Sequence, residues 1–184
     1  VEVKIHSPED ATQRMTTEIK KRYGVNAHLV PVPESASPID RLDRVALTAA
    51  RMLTNFFFAG MTMGVAWGST TAAVSRNLAS RQLRDSRVVQ LNGAGNTFTT
   101  GMSYSGEILR RFGEAYGATV EQFPVPAFFD DPSAKETLWR ERSTKRILDI
   151  QSTMDVALFG LGSNDSEVPS HVYTAGYLSV DDQK

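Results

Sequence analysis

Residues 61–74 read MTMGVAWGSTTAAV, and the parsing of this stretch decides the fold. Met61 to Ala66 form a short apolar run with the length and residue types of a buried strand. Gly68, Ser69, Thr70 and Thr71 interrupt it, and Ala72, Ala73 and Val74 resume with small residues that suit a helix. A strand that leaves through glycine and hydroxyl residues into a helix is one unit of an α/β layer. The turn itself admits two physical readings. Ser69 or Thr70 caps the helix, or the first-turn amides and the positive end of the helix dipole cradle a small anion, with the hydroxyls of Ser69, Thr70 and Thr71 as further donors. Spacing alone leaves both open.

The unit recurs downstream. RVVQL (87–91) reads as a strand, NGAGN (92–96) as a loop, and YSGEILRRFGEAYG (104–117) as a helix with Ile108, Leu109, Phe112 and Ala115 on one face. TVEQFPV (119–125) follows as a strand and PAFFDDPS as a loop. AKETLWRERSTKRILDIQS (134–152) reads as one or two helices, and DVALFGLG (155–162) as the last strand and turn. TAAVSRNLASRQL (71–83) is expected to be helical throughout. Upstream, Pro8 to Tyr23 has acids first and bases last, the polarity that favours a helix, and Gly24 stops it. AHLVPV (27–32) reads as a short strand. Ser37 is the expected N-cap of a helix with Pro38 at its first position, whose apolar stripe runs through Leu42, Val45, Ala46, Ala49, Met52, Leu53, Phe56 and Phe57 to Gly60.

Three of these strands end in glycine-bearing turns: GVAWGSTT, VVQLNGAGN and VALFGLGSN. In a parallel sheet such turns share one edge, where ligands of α/β folds bind, so they are expected to converge. Motif tests narrow the ligand. A triphosphate-binding loop needs Gly-Lys-Ser/Thr after four residues, and Gly68 is followed by Ser69 with no lysine nearby. The dinucleotide fingerprint needs a third glycine, where this chain has Phe98 and Asp165. A small anion, such as a single phosphate group, remains. GMSYS lacks the final glycine of a nucleophile elbow, so no catalytic serine is expected at Ser103. His6, His28 and His171 show no metal-ligand spacing, and neither a metal nor a cofactor is expected. Asp130 and Asp131 fit a solvated turn. Trp67 either walls a pocket or packs beneath the turn.

Composition bounds the rest. With 184 residues, 41% of them hydrophobic, the chain can bury one good core, and a single domain over 1–184 is expected. A net charge of -1 draws it neither to nucleic acid nor to an anionic membrane as a whole. The absence of cysteine removes disulfides and thiolate nucleophiles and fits the cytoplasm. No run reaches the roughly eighteen apolar residues of a membrane span. The chain opens on Val1 and closes on SVDDQK, like a piece of something longer.

VEVKIHSP (1–8), KKRYGVNAHLVPVP (20–33), GVAWGSTT, VVQLNGAGN, FPVPAFF (123–129), DVALFGLGS (155–163) and AGYLSVDDQ (175–183), in this order, resemble the sugar-binding domain of SorC-type bacterial transcriptional regulators, often grouped with DeoR-type regulators. The resemblance covers nearly the whole chain. It implies a Rossmann-like α/β effector domain, with a mostly parallel sheet and helices on both faces, akin to ribose-phosphate isomerases and glucosamine-phosphate deaminases. It further implies a phosphorylated-sugar effector held by Gly68, Ser69, Thr70 and Thr71, by Asn92 and Gly93, and by Gly162 and Ser163. Members resemble this chain with an added helix-turn-helix DNA-binding segment before it and further strands after it, and they form dimers or tetramers. Those segments, and part of the pocket, are expected outside this stretch. The alternative, an isomerase or deaminase on the same fold, would bring an Asp-Gly-Ala-Asp stretch and a Lys-Gly-Gly loop. Neither string occurs here, so no enzyme is expected.

Overall fold

The computed structural model describes residues 8–162, 170–179 and 182. The chain divides into two compact units, Val1–Ser35 and Ala36–Lys184. In the first, α1 (Pro8–Tyr23) ends in Lys20, Lys21 and Arg22, and Gly24 closes it at φ 71 with its N–H donating to the Lys20 carbonyl. The strand expected over 27–32 does not form. Pro31 and Pro33 lack the N–H groups a ladder requires, and no strand partner for this segment occurs among the described residues.

The second unit is built on a four-stranded sheet. Its strands are β1 (Thr62–Val65), β2 (Arg87–Gln90), β3 (Thr119–Glu121) and β4 (Val156–Leu158), in the spatial order β3-β2-β1-β4 and all parallel. Register pairs Gly64 with Val89 on one side and with Ala157 on the other. The chain steps outward from β1 to β2 to β3 and then returns to lay β4 on the far side of β1. The reversal creates a topological switch point between β1 and β4.

Successive residues of the central strands serve opposite faces. Met63, Val65 and Val88 join a core with α2 (Pro38–Met52), α3 (Ser69–Arg76) and α4 (Met102–Tyr116), in which Ala46, Phe57, Ala73, Leu109 and Phe112 are almost fully buried. Val89 faces the other way, onto Phe123, Val125 and Ile147, beside α5 (Pro132–Arg140) and α6 (Arg142–Ser152). The expected α/β layering, with helices on both faces of a parallel sheet, is the observed fold. A short helix, α7 (His171–Thr174), has no counterpart in the sequence reading.

Several boundaries differ from expectation for local reasons. Helix α2 starts as read: Ser37 accepts from the Asp40 N–H, and the Asp40 carboxylate accepts from the Ser37 N–H, a reciprocal cap. It ends at Met52 in a 3-10 turn over Leu53–Asn55, so the buried stripe is Ala46, Ala50, Leu53 and Phe57, while Val45 and Phe56 are exposed. Helix α3 stops at Arg76 rather than near Leu83. The following segment spends its amides on α4: Arg81 N–H donates to Ala115 O and Leu83 N–H to Tyr116 O. Strand β3 stops at Glu121, before Pro124, and the Phe123 N–H donates to the side-chain oxygen of Gln90.

Candidate functional site

The turns after β1, β2 and β4 converge, as expected for three strands ending on one edge. They border a cleft of about 590 Å³ at the switch point, whose lining includes Trp67, Gly68, Ser69, Thr70, Asn92 and Gly162. Helix α3 begins in this cleft. Its cap position, Gly68, is extended and offers no side chain, and no side chain caps the helix among the described residues. The first intrahelical bond runs from Ala72 N–H to Gly68 O at 2.8 Å, so the amides of Ser69, Thr70 and Thr71 precede the helical ladder. The capping reading of Ser69 and Thr70 is therefore not what the structure adopts. Among the described residues, the turn presents first-turn amides that no side chain caps, and the positive end of the helix dipole, to the cleft.

The family-implied residues do not all stand alike. Ser69, Thr70, Asn92 and Gly162 line the cleft together with Gly68. Thr71 is 1% exposed and its hydroxyl donates back to Gly68 O at 3.2 Å, so its side chain braces the turn and does not face the opening. Gly93 lies behind the lining. A Cβ there would stand 2.0 Å from the Pro126 carbonyl oxygen and 2.5 Å from that of Val125, so its glycine is required by the close pass of the segment after β3. Ser163 lies outside the described residues.

Trp67 does both things its position allowed. It borders the cleft, and it also packs beneath the turn: its ring N–H donates to Gly93 O at 2.7 Å, and its backbone N–H donates to Asn92 Oδ1 at 3.1 Å. Its ring stacks on Tyr177 at 4.7 Å and meets Tyr104 and His171 edge-on. Tyr177 in turn donates to Ala94 O. Burial pushes the His171 imidazole below its usual range and the Tyr177 phenol above its own. His171 thus serves as a wall of the aromatic cluster. Tyr104, Tyr177, Gln90 and Gln151 went unnoticed as supports of the site. Only Gln90 carried a signal, as a polar residue inside the apolar run VVQL.

Among the described lining residues there is no carboxylate, histidine or lysine. Such a cleft can bind oxygen-rich ligands through amides and hydroxyls. These described residues include no group with a pKa suited to moving a proton from carbon near neutral pH.

A parallel sheet with a cleft at its switch point and a helix aimed into it defines an α/β ligand-binding domain. Comparison with known proteins makes the assignment: the Sugar-bind family, described as "Putative sugar-binding domain", matches residues 8–184, and the chain belongs to it. A solved domain of a "possible sugar-binding transcriptional regulator" from Arthrobacter aurescens TC1 is 49% identical, with a TM-score of 0.85 over 96% of this chain and 67% of that one. The deoxyribonucleoside regulator of Bacillus subtilis (strain 168) is 26% identical over all of this chain and 58% of its own length. The full-length sorbitol operon regulator SorC of Klebsiella pneumoniae shares the fold, with 18% identity and a TM-score of 0.78 over 100% of this chain and 59% of that one. The chain thus spans little more than half the length of the curated relatives it matches.

Proposed function

We propose that this domain binds a phosphorylated sugar in the cleft at the start of α3, and that a longer regulator uses its occupancy to control DNA binding. The phosphate is held by the first-turn amides of α3, by Gly68 and the hydroxyls of Ser69 and Thr70, and by the Asn92 side chain. Gly162 borders the site on the β4 side and Ser163 is a further proposed contact; Thr71 contributes through its backbone amide, and Gly93 supports the site through the close pass of its loop. The observation that carries this reading is the N-terminus of α3, capped by no side chain among the described residues, opening on a cleft lined by Ser69, Thr70 and Asn92. The sugar-binding family and the regulator names of its relatives support the same reading.

The domain acts as a sensor and not as an isomerase or deaminase. Its relatives are regulators, and the described lining supplies no general base. DNA contact comes from a helix-turn-helix segment elsewhere in the regulator. The assembly is a dimer or tetramer in the cytoplasm, and no helix among the described residues is long and apolar enough to cross a membrane. A ligand shifts such an assembly only by its differential affinity for two states. The test is a panel of sugar phosphates and their parent sugars in a thermal melt, run beside an assay of isomerisation and deamination. Stabilisation by phosphorylated members without turnover is expected, and turnover of any of them would overturn the sensor reading.

A further inference from the structure

The loop that carries Asn92 is fastened in an uncommon way. Four consecutive backbone carbonyls each accept a hydrogen bond from a side chain. Gln151 Nε2, on α6, donates to Gln90 O at 2.7 Å and to Leu91 O at 3.4 Å. Gln90 Nε2 donates to Asn92 O at 2.7 Å, and Trp67 Nε1 donates to Gly93 O at 2.7 Å. Gln90 is 3% exposed, and its other end accepts from the Phe123 N–H at 3.2 Å. Both ends of a buried amide are thus used, one on the segment beyond β3 and one on the loop.

The orientation of Asn92 follows from this network. Its main chain is pinned from behind by Gln90. Its Oδ1 faces the Trp67 backbone N–H at 3.1 Å, and since an N–H can only donate, the atom there is the oxygen. The amide nitrogen is what remains to face the cleft that Asn92 lines. We propose that Gln90 and Gln151 are positioning residues. They hold Asn92 so that its Nδ2 presents a fixed hydrogen-bond donor to an anionic oxygen bound at the start of α3. Apolar residues at 90 and 151 would fill the same volume and leave the loop free to turn its amide away. The burial of Gln90 beside Val88 and Val89, and the placing of the half-buried Gln151 against it, are explained by the donor they aim.

Two measurements test this, and only the second rests on the proposed function. In the first, nuclear magnetic resonance follows the side-chain amide of Asn92 in the wild type and in Gln90→Met. The amides of Asn77 and Asn96, bonded to Ala73 O and Ala175 O, are internal controls. Positioning predicts that Asn92 alone gains mobility, and unchanged order at Asn92 overturns it whether or not the cleft binds an anion. In the second, inorganic phosphate is titrated against the wild type, Gln90→Met, Asn92→Ala and the double variant. Gln90→Met is expected to weaken phosphate about tenfold, the loss of one hydrogen bond to a charged group, and to add almost nothing in the Asn92→Ala background. An equal loss in both backgrounds overturns action through Asn92. If the wild type takes up no phosphate, the cleft reading fails and the amide measurement still decides the positioning. Should Gln90→Met fail to fold, Gln151→Met, at a half-buried site, is carried through the same two measurements.

Discussion

Gly93 and His171 show how single residues set the shape and the pH response of the site. The Cβ of an alanine at 93 would overlap backbone atoms of Val125 and Pro126, which cannot rotate away as a side chain can. The loop after β2 would have to move, and Gly93→Ala is expected to cost about 3 kcal/mol in a denaturant titration, at the upper end of overpacking effects. A loss below about 1 kcal/mol would show that the contact yields easily. His171 packs against Tyr104 at 4.1 Å and against Trp67 and Tyr177 edge-on, and burial lowers its pKa from 6.5. The unfolded chain then takes up the proton more readily than the folded one. Its contribution is complete above pH 6.5 and is lost as pH falls through the folded value. His171→Phe keeps a ring in place and should flatten the fall in denaturation midpoint just below pH 6.5; an identical pH slope in wild type and variant would contradict this.

At the scale of elements, α3 separates two uses of a helix start. A carboxylate in its first turn improves the fit to the dipole by roughly 0.3–1 kcal/mol, yet repels an anion from the same amides. Ser69→Asp should therefore keep or raise the melting temperature and abolish stabilisation by sugar phosphates. If the variant still responds to them, the anion is bound elsewhere. That a helix follows β1 was legible in residues 68–74, though it begins at Ser69 and not at Thr71, with Gly68 at the cap position. Its end was not, since the pattern through Leu83 looks helical and only α4 shows why Arg81 and Leu83 leave the ladder. The same limit applies to β3, whose continuation is diverted by the Gln90 side chain. Local propensity does not report a competing partner that arrives from distant sequence.

For the molecule as a whole, strand order decides where a ligand can sit. Alternating apolar strands and amphipathic helices in the sequence announced a parallel sheet, and three glycine turns announced the edge at which they converge. That β4 returns beside β1 is a matter of packing, because the β3 to β4 connection, with α5 and α6, covers the face bearing Val89. The switch point follows from that return. The aromatic wall of Trp67, Tyr104, His171 and Tyr177 was illegible for a similar reason: its members come from distant parts of the sequence and meet only in the folded unit.

The central claim is that this cleft recognises the phosphate of a sugar phosphate. The most direct measurement is the melting temperature of the protein with ribose 5-phosphate, glucose 6-phosphate and other sugar phosphates, each beside its unphosphorylated sugar. At ~100 times its dissociation constant, a bound sugar phosphate should stabilise by about 2.7 kcal/mol, a rise of roughly 5–10 °C, while the parent sugars leave the melt unchanged. No shift with any sugar phosphate, or an equal shift with the parent sugar, would contradict it.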